Sequence, residues 1–258
     1  NVLRAAFQDA DWVDALYVLE RQRAKKSNAE LAVLKTASEA VLDSMQAVIA
    51  SHGPGVTKAE VVEALRREET NRGLTFEYCL ITAGTSFNRA PSEQRWEQGD
   101  IMSIDSGGNY HGYIGDLCRM AIQGEPDAEL EDLLAEIETI QRAAMKPMKT
   151  GSLGREIYAA GEPLRAKSKH HNHLEFLAHG MGMVSHEGPR LTDHGPVPYP
   201  ADYADAPLEA GMVVSVETTL LHQSRGFIKL EDTVIVTDSG PEIYAEGLRG
   251  WNRAGAGG

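Results

Sequence analysis

The sequence is poor in cysteine, in aromatic residues and in positive charge. Cys79 and Cys118 are the only cysteines among its 258 residues, so a disulfide framework is excluded and we expect free thiols. Lys and Arg total 25 against 38 Asp and Glu, which gives a formal net charge of −13. This balance argues against a broad basic surface for nucleic acid or anionic lipid. Nucleic acid is therefore not expected among its partners.

Long uninterrupted apolar runs are absent as well. No stretch approaches the roughly 18 apolar residues of a membrane span, and the apolar part of the amino-terminal segment carries acids, unlike a secretory signal. We therefore predict a cytoplasmic protein without a membrane partner. The chain begins at Asn1 rather than Met, which is consistent with a processed or trimmed product. Its 42% hydrophobic residues are enough to fill a globular core.

Helical and strand-like segments follow one another in two similar sets. Residues 1–26 are predicted to be a lead-in helix or linker, and residues 27–258 the main domain. Capping boxes and apolar spacing predict helices at 27–53, 57–72, 126–146 and 152–167. Strand formers predict strands at 76–82, 101–107, 112–122, 212–221 and 227–236, whereas 168–208 is predicted to be a loop. This order indicates an α+β domain built twice.

Two segments of the chain align without gaps. Residues 99–105, GDIMSID, match residues 211–217, GMVVSVE, and each run ends on an acid. The arms that follow also correspond, with Asp116 matched to Glu231. Coincidence among short strands, which resemble one another, is the alternative. If the repeat is real, each half delivers two carboxylates from one hairpin.

The first hairpin predicts a close pair of acids. A turn between Tyr110 and His111 would place Asp105 and Asp116 opposite each other on neighbouring strands, with Cβ atoms roughly 5 Å apart. Strand-forming apolar residues flank both, so burial of the pair is unfavourable unless a positive charge lies between them.

Charge compensation suggests metal ions. The second hairpin adds Glu217 and Glu231, and the cations within these strands are Arg119 and Lys229. Two single charges do not cancel four carboxylates, whereas two divalent ions do. Carboxylates that bridge two metals commonly activate a water molecule. Oxygen-rich ligation favours Mn²⁺ over Zn²⁺, and Fe²⁺ or Co²⁺ would also fit.

The segment LAHGMGMVSHEGP offers a fifth ligand. His179 alone would more often be a core histidine, but His186 seven residues later provides a candidate proton carrier near the same site. We therefore expect His179 to bind metal and His186 to carry protons beside it.

Four segments in order, IDSGGNYHGYIGD, AHGMGMVSHEGP, VVSVETTLL and IKLEDTVIV, resemble the pita-bread metallohydrolase superfamily of aminopeptidase P, prolidase, methionine aminopeptidase and creatinase. The resemblance spans about residues 26–245 and implies two pseudo-symmetric αβ halves around a curved antiparallel sheet. It implies that two metal ions are held by Asp105, Asp116, His179, Glu217 and Glu231. It further implies that Glu217 carries a proton near a metal-bridging hydroxide and that His186 holds the substrate near the scissile bond. The IKLED stretch, and the absence of a CGHG form, favour the aminopeptidase P and prolidase branch.

Three positions depart from the aminopeptidase P pattern. Asn88 and Glu175 stand where histidines are usual, and Lys229 stands where arginine is usual. These are predicted substrate-binding positions, so the pattern supports the metal chemistry more than the substrate. The expected function is that of an Xaa-Pro aminopeptidase or dipeptidase acting on a short peptide, and a homodimer is expected from the resemblance. The alternatives are a hydrolase of a small amide or other C–N substrate, a non-catalytic binding module, and a fold whose metals are purely structural.

Overall fold

The computed structural model describes residues 2–193 and 200–255. Its α-helices are α1 (Val2–Ala6), α2 (Leu16–Ala24), α3 (Asn28–Ser51), α4 (Lys58–Asn71), α5 (Ala128–Met145) and α6 (Gly154–Lys167), and a 3₁₀ turn covers His171–His173. Ser27 and Thr57 begin α3 and α4 with the predicted capping boxes, in which Glu30 and Glu60 return a hydrogen bond to the cap backbone. The four long helices are confirmed within a few residues of their predicted bounds.

The strands form one large sheet and one small sheet. They are β1 (Val56–Thr57), β2 (Thr75–Ala83), β3 (Arg95–Trp96), β4 (Ile101–Tyr110), β5 (Tyr113–Ile122), β6 (Leu174–Gly180), β7 (Val213–His222), β8 (Gly226–Val236), β9 (Pro241–Ile243) and β10 (Asn252–Arg253). The large sheet has the order β2-β4-β5-β8-β7-β6, and each neighbouring pair along it is antiparallel. Strand β9 pairs with β8, and β10 runs parallel to β5. The order is symmetric about the β5–β8 pair, as expected for an α+β unit built twice.

One predicted element is wrong. The stretch 168–208 was expected to be a loop, but Leu174–Gly180 forms β6 along the outer side of β7. This strand has only seven residues and follows a run of polar histidines, so its alternation gives a weak signal until β7 supplies a partner. Residues 194–199 of the same stretch lie outside the described part of the chain.

The helices cover one face of the large sheet. Helix α3 packs on β4 and β5, and α5 packs on β7 and β8. Ile104 and Leu117 point into this core, where they meet Val41 and Met45 of α3 and Leu65 of α4. Because side chains alternate along a strand, the residues next to Ile104 on β4 and next to Leu117 on β5 project to the opposite face of the sheet. The five predicted metal ligands lie on that opposite face.

The amino-terminal helices are largely exposed. Helix α1 buries no residue, and α2 buries Glu20 and Ala24. Arg190 forms a two-fold ion pair with Glu20 that ties α2 to the rest of the chain. Assignment of residues 1–26 to a linker stays a prediction. Within 2–193 and 200–255, no helix combines the length and apolar character needed to cross a membrane.

Candidate metal centre

Five adjacent strands each present one predicted metal ligand on the same face of the sheet. The ligands are Asp105 on β4, Asp116 on β5, Glu231 on β8, Glu217 on β7 and His179 on β6. All are buried except Glu217, whose side chain keeps 16% of its exposure. The chain therefore gathers these side chains from positions up to 126 residues apart because strand pairing, rather than sequence proximity, brings them together.

The first hairpin differs from its predicted register. Its turn is formed by His111 and Gly112, with φ of 49° and 91°, and Tyr110 pairs with Tyr113. This two-residue turn needs positive φ at both positions, which glycine adopts without strain. Asp105 and Asp116 are consequently diagonal neighbours offset by two residues, so the prediction that they lie directly opposite is wrong. They still share one face, at the wider spacing of a diagonal pair.

The second hairpin shows how the internal repeat matches in space. Glu217 lies directly opposite Glu231, whereas the residue opposite Asp105 is Cys118. Cys118 and Glu231 in turn pair across the central β5–β8 contact. If Asp105 in the first repeat is matched to Glu217 in the second, their cross-strand partners Cys118 and Glu231 are matched as well. The prediction that Glu231 matches Asp116 is therefore wrong by two positions. The 99–105 and 211–217 segments do occupy equivalent strands.

Asp116, His179 and Glu231 form the tightest group. One ligand atom from each lies within 4.8 Å of the others, and all three residues are buried. His179 Nε2 lies 3.5 Å from Glu231 Oε1 and 3.9 Å from Glu217 Oε1. Among the described residues, Asp116 Oδ1 and His179 Nε2 are buried without a hydrogen bond. Buried polar atoms are normally paired, so two unpaired ligand atoms facing one point fit a divalent cation.

The electrostatics of this group agree with that fit. Burial, followed by the charges of Glu231 and Asp105, raises the pKa of Asp116 well above its usual range. Burial lowers the pKa of His179, but the nearby carboxylates of Glu231, Glu217 and Asp116 outweigh burial and raise this pKa to about 9. In the metal-free protein, protons therefore compensate part of the negative charge. A metal ion would compete with these protons.

Lys229 lies among the remaining ligand oxygens. Its Nζ is 2.7 Å from Asp105 Oδ2 and 2.7 Å from Glu231 Oε2, and it also contacts Glu217. Burial lowers the pKa of Lys229, yet these carboxylates outweigh burial and raise it well above the usual value. The ammonium group is thus fully engaged by acids. Sequence reasoning had predicted that Lys229 binds the substrate.

Arginine pairing also differs from expectation. Arg119 was counted among the cations available to the carboxylates, but it projects from the other face of β5 and pairs with Asp232 at 2.7 Å. Arg89 supplies the second cation instead, through an ion pair with Asp105. Sequence reasoning missed Arg89, although it directly follows the singled-out Asn88.

Tyr78 and Ser215 position two of the ligands. The side chain of Tyr78 lies beside Asp116 at the cavity, and Ser215 Oγ donates to Glu231 Oε1 at 2.7 Å. Gly107 makes room for the tyrosine, since a Cβ there would lie 2.4 Å from the ring. Such partners commonly orient metal ligands. Neither Tyr78 nor Ser215 was foreseen, because both contacts depend on strand pairing.

A cavity of about 580 Å³ opens over the carboxylates. His186 lines it, and its ring stacks on His179. Burial and the neighbouring charge of His179 lower the pKa of His186 to about 4. Glu175 also lines the cavity. Asn88 is exposed, and its side chain accepts a hydrogen bond from the Ala90 backbone. Asn88 is not among the residues that line the cavity.

Comparison with known proteins gives one family. The profile of metallopeptidase family M24 matches residues 32–238. The uncharacterized peptidase YqhT of Bacillus subtilis is 26% identical over 242 residues, which cover 92% of this chain and 66% of that protein. The Xaa-Pro dipeptidase of Pyrococcus furiosus is 25% identical over 229 residues, covering 86% of this chain and 63% of that protein. This chain thus spans about two thirds of the length of these relatives, or slightly less.

Solved structures agree on the fold. The X-Pro aminopeptidase from Thermotoga maritima superposes with a TM-score of 0.87 at 22% identity, over 98% of this chain and 70% of that one. The dipeptidase PepE from Mycobacterium ulcerans gives a TM-score of 0.83 at 25% identity, over 94% of this chain and 64% of that one. The predicted pita-bread fold is confirmed. The family match covers most of the chain and contains all five ligand positions, so this protein belongs to metallopeptidase family M24.

Proposed function

We propose that this chain is the catalytic part of a divalent-metal-dependent hydrolase that cleaves short Xaa-Pro peptides near their amino terminus. The observation that carries the proposal is the convergence of Asp105, Asp116, His179, Glu217 and Glu231 beneath one cavity. The unpaired buried atoms Asp116 Oδ1 and His179 Nε2 support a metal at its base. Acids gathered for structure alone would not need to face a cavity.

The ligand chemistry favours Mn²⁺, and Fe²⁺, Co²⁺ or Zn²⁺ would also fit. Four of the five side chains offer oxygen, which suits a hard cation more than a zinc ion in a nitrogen- and sulfur-rich site. When bound, the metal would activate the attacking water and polarise the scissile carbonyl. The dinuclear centre implied by the resemblance stays a prediction at this point.

Two side chains of the chain would handle the substrate and its protons. Glu217 is the ligand-type carboxylate that retains some exposure to the cavity, so it is placed to accept a proton and deliver it to the departing nitrogen. His186 lines the same cavity and would hold the peptide beside Glu217. Both roles require that the scissile bond lie over the carboxylate cluster.

The cavity suits a small peptide with an apolar second residue. Leu80, Leu177, Leu221 and Phe227 contribute an apolar wall on which a proline ring could pack. Glu175 adds an exposed carboxylate that would attract an α-ammonium group. The names of the Pyrococcus furiosus and Thermotoga maritima proteins support the Xaa-Pro specificity.

A small amide or other C–N substrate is the second candidate. Two of the predicted substrate positions give little support to peptide binding, since Asn88 is not among the residues that line the cavity and Lys229 is engaged by carboxylates. A smaller substrate would depend less on these two positions.

Cytoplasmic location and a homodimer remain parts of the proposal. The buried free thiols of Cys79 and Cys118 support the cytoplasmic location.

A substrate panel tests the proposal. Purified protein supplied with Mn²⁺ is incubated with Xaa-Pro dipeptides, Xaa-Pro-Xaa tripeptides, matched Xaa-Ala-Xaa tripeptides and small amides. We expect cleavage of the proline peptides and none by the Asp116→Ala variant. Cleavage restricted to non-proline amides would select the second candidate, and a folded, metal-binding protein without turnover would favour a structural role.

A further inference from the structure

We infer that the ammonium group of Lys229 takes the place of one of the two metal ions, so that the site holds a single divalent ion at Asp116, His179 and Glu231. This inference rests on the metal centre of the proposed function. It changes the composition of that centre, since a side chain of the protein supplies part of the positive charge.

The contacts of Lys229 occupy the oxygens that a second ion would need. Lysine has three N–H donors, and Lys229 directs its Nζ at Asp105, Glu217 and Glu231. A metal ion binds carboxylate oxygens at about 2.0–2.2 Å. An ion held by these oxygens would therefore meet the ammonium group at a distance where two cations repel strongly.

Two of the three residues of the tightest ligand group lie outside these contacts. Among the described residues, Lys229 pairs with neither Asp116 nor His179. One ligand atom of Asp116 and one of His179 lie within 4.8 Å of each other and of a Glu231 oxygen. The two carboxylate oxygens of Glu231 have different partners. Its Oε2 meets Lys229, whereas its Oε1 faces His179. One position is thus filled by the lysine, and the other has the ligand atoms for one ion.

Charge balance leads to the same composition. The cluster contains the four carboxylates Asp105, Asp116, Glu217 and Glu231. Lys229 and Arg89 neutralise two of their charges. One divalent ion neutralises the other two, whereas two divalent ions, even with the bridging hydroxide that the resemblance implies, would leave a buried excess of one positive charge. Uncompensated charge in a buried site is strongly unfavourable.

The type of cation at position 229 is important. An arginine carries a planar fork that pairs with one carboxylate through two parallel bonds. A lysine carries a compact charge on a flexible stem and can point it among several carboxylates. The substitution of lysine for the arginine usual in the aminopeptidase P pattern therefore changes how many ligand oxygens the side chain occupies.

Metal stoichiometry tests this inference directly. The full chain is freed of metal with chelator, re-equilibrated with Mn²⁺ and analysed by native mass spectrometry and electron paramagnetic resonance. We expect one tightly bound Mn²⁺ per chain with the spectrum of isolated ions. Two bound ions with a spin-coupled spectrum in the unaltered protein would overturn the inference.

Two variants distinguish the specific effect of Lys229 from the general effect of removing a buried lysine. Lys229→Met should double the stoichiometry and produce the spin-coupled spectrum, because the oxygens of Asp105 and Glu217 become available. Lys58→Met removes a buried lysine that donates to the Asn88 carbonyl, and it should keep one ion. A Lys229→Met protein that folds and still binds one ion would contradict the role of the lysine.

The test also remains decisive if Lys229→Met does not fold. In that case Lys229→Gln, which removes the positive charge but keeps a polar end that can hydrogen-bond with the carboxylates, is expected to bind a second ion, and one ion in that variant would count against the inference. Stoichiometry does not depend on turnover. A one-ion protein that cleaves no Xaa-Pro peptide would refute the proposed function alone, whereas a two-ion protein that cleaves such peptides would refute only this inference.

Discussion

The imidazole rings of His179 and His186 stack with their centroids 3.8 Å apart and their planes inclined by 15°. The stack joins a candidate metal ligand, fixed on β6, to a cavity-lining residue from the segment that follows. His186 thereby has a defined position although it is not part of a strand. In the proposed function, His186 would contact the substrate and would not bind the metal.

Loss of His186 should reduce catalysis without reducing metal binding. We expect His186→Ala to lower kcat/KM by roughly 10²-fold, because a positioned proton-transfer or hydrogen-bonding group contributes about that much. Steady-state kinetics and metal analysis of the same preparation measure the two effects. His171→Ala, at an exposed histidine, is the control and should behave like the unaltered protein. Equal loss of metal and activity in His186→Ala would show that the residue acts through the metal site.

Removal of Asp116 should abolish both metal binding and turnover. Its carboxylate belongs to the tightest ligand group and has an unpaired buried oxygen. Asp116→Ala is expected to lose activity by more than about 10³-fold, the order attributed to catalysis by a preorganised group together with its activated water. Asp43→Ala, at an exposed aspartate of α3, is the matched control. Ordinary turnover by Asp116→Ala would refute the assignment of the site.

Loss of Glu217 should separate proton transfer from metal affinity. Glu217→Gln keeps the size of the side chain and one oxygen but cannot accept the proton of the attacking water. We expect kcat to fall by about 10²–10⁴-fold, while at least one Mn²⁺ remains bound through Asp116, His179 and Glu231. Titration calorimetry and kinetics on one sample distinguish these effects. A variant with unchanged kcat would remove Glu217 from the proposed proton path.

Glu175 should recognise a free amino terminus. Its exposed carboxylate lies on β6 at the cavity, two residues before Leu177 and on the same face. Glu175→Gln is expected to raise KM for Xaa-Pro-Xaa peptides about 1.4- to 5-fold, since an exposed ion pair contributes about 0.2–1 kcal/mol. The effect should shrink at high salt. Glu242→Gln, at an exposed acid of β9, should leave KM unchanged, and an equal rise in both variants would point to net charge instead.

Burial of Glu69 should make the stability of the fold depend on pH, independently of catalysis. Its carboxyl group is buried on the helix side of the sheet, where Oε1 accepts a hydrogen bond from Ser106 and Oε2 has no partner among the described residues. Burial raises its pKa from 4.5 to about 8. The folded state therefore binds this proton more tightly than the unfolded state. The resulting stability is fully present below pH 4.5 and is lost as the pH rises towards 8.

Glu69→Gln should remove that dependence. We expect the variant to have a free energy of unfolding near that of the unaltered protein at pH 5 and higher by about 2–4 kcal/mol at pH 8. Denaturant unfolding in the presence of chelator measures both values. Glu63→Gln, at an exposed position on the same helix, should not change the difference between the two pH values. A Glu69→Gln protein with the same pH dependence as the unaltered one would contradict the assigned pKa.

Local signals in the sequence were sufficient for most of the fold. Ser27, Thr57 and Asp127 cap their helices with side-chain oxygens, so the starts of α3, α4 and α5 are encoded within four residues. The strands that carry Asp105 and Glu217 are long and apolar, and an acid in such a strand is conspicuous. These features explain why the candidate ligands stand out in the sequence without knowledge of the fold.

Pairing between distant segments accounts for what the sequence did not reveal. Strand β6 needs β7 as a partner, and the two-residue offset between Asp105 and Asp116 depends on the turn at Gly112. The contact of Arg89 with Asp105 and the position of Lys229 among three carboxylates depend on the assembled sheet. No spacing rule along the chain encodes such contacts.

Hydrolysis of an Xaa-Pro peptide as a function of added metal tests the central claim most directly. Chelator-treated protein is titrated with Mn²⁺ while release of the first amino acid from an Xaa-Pro-Xaa peptide is followed. The account predicts no release without metal, a rise that saturates as the site fills, and no response in Asp116→Ala. Protein that binds Mn²⁺ and cleaves no such peptide, or that cleaves it equally well in excess chelator, would contradict the account.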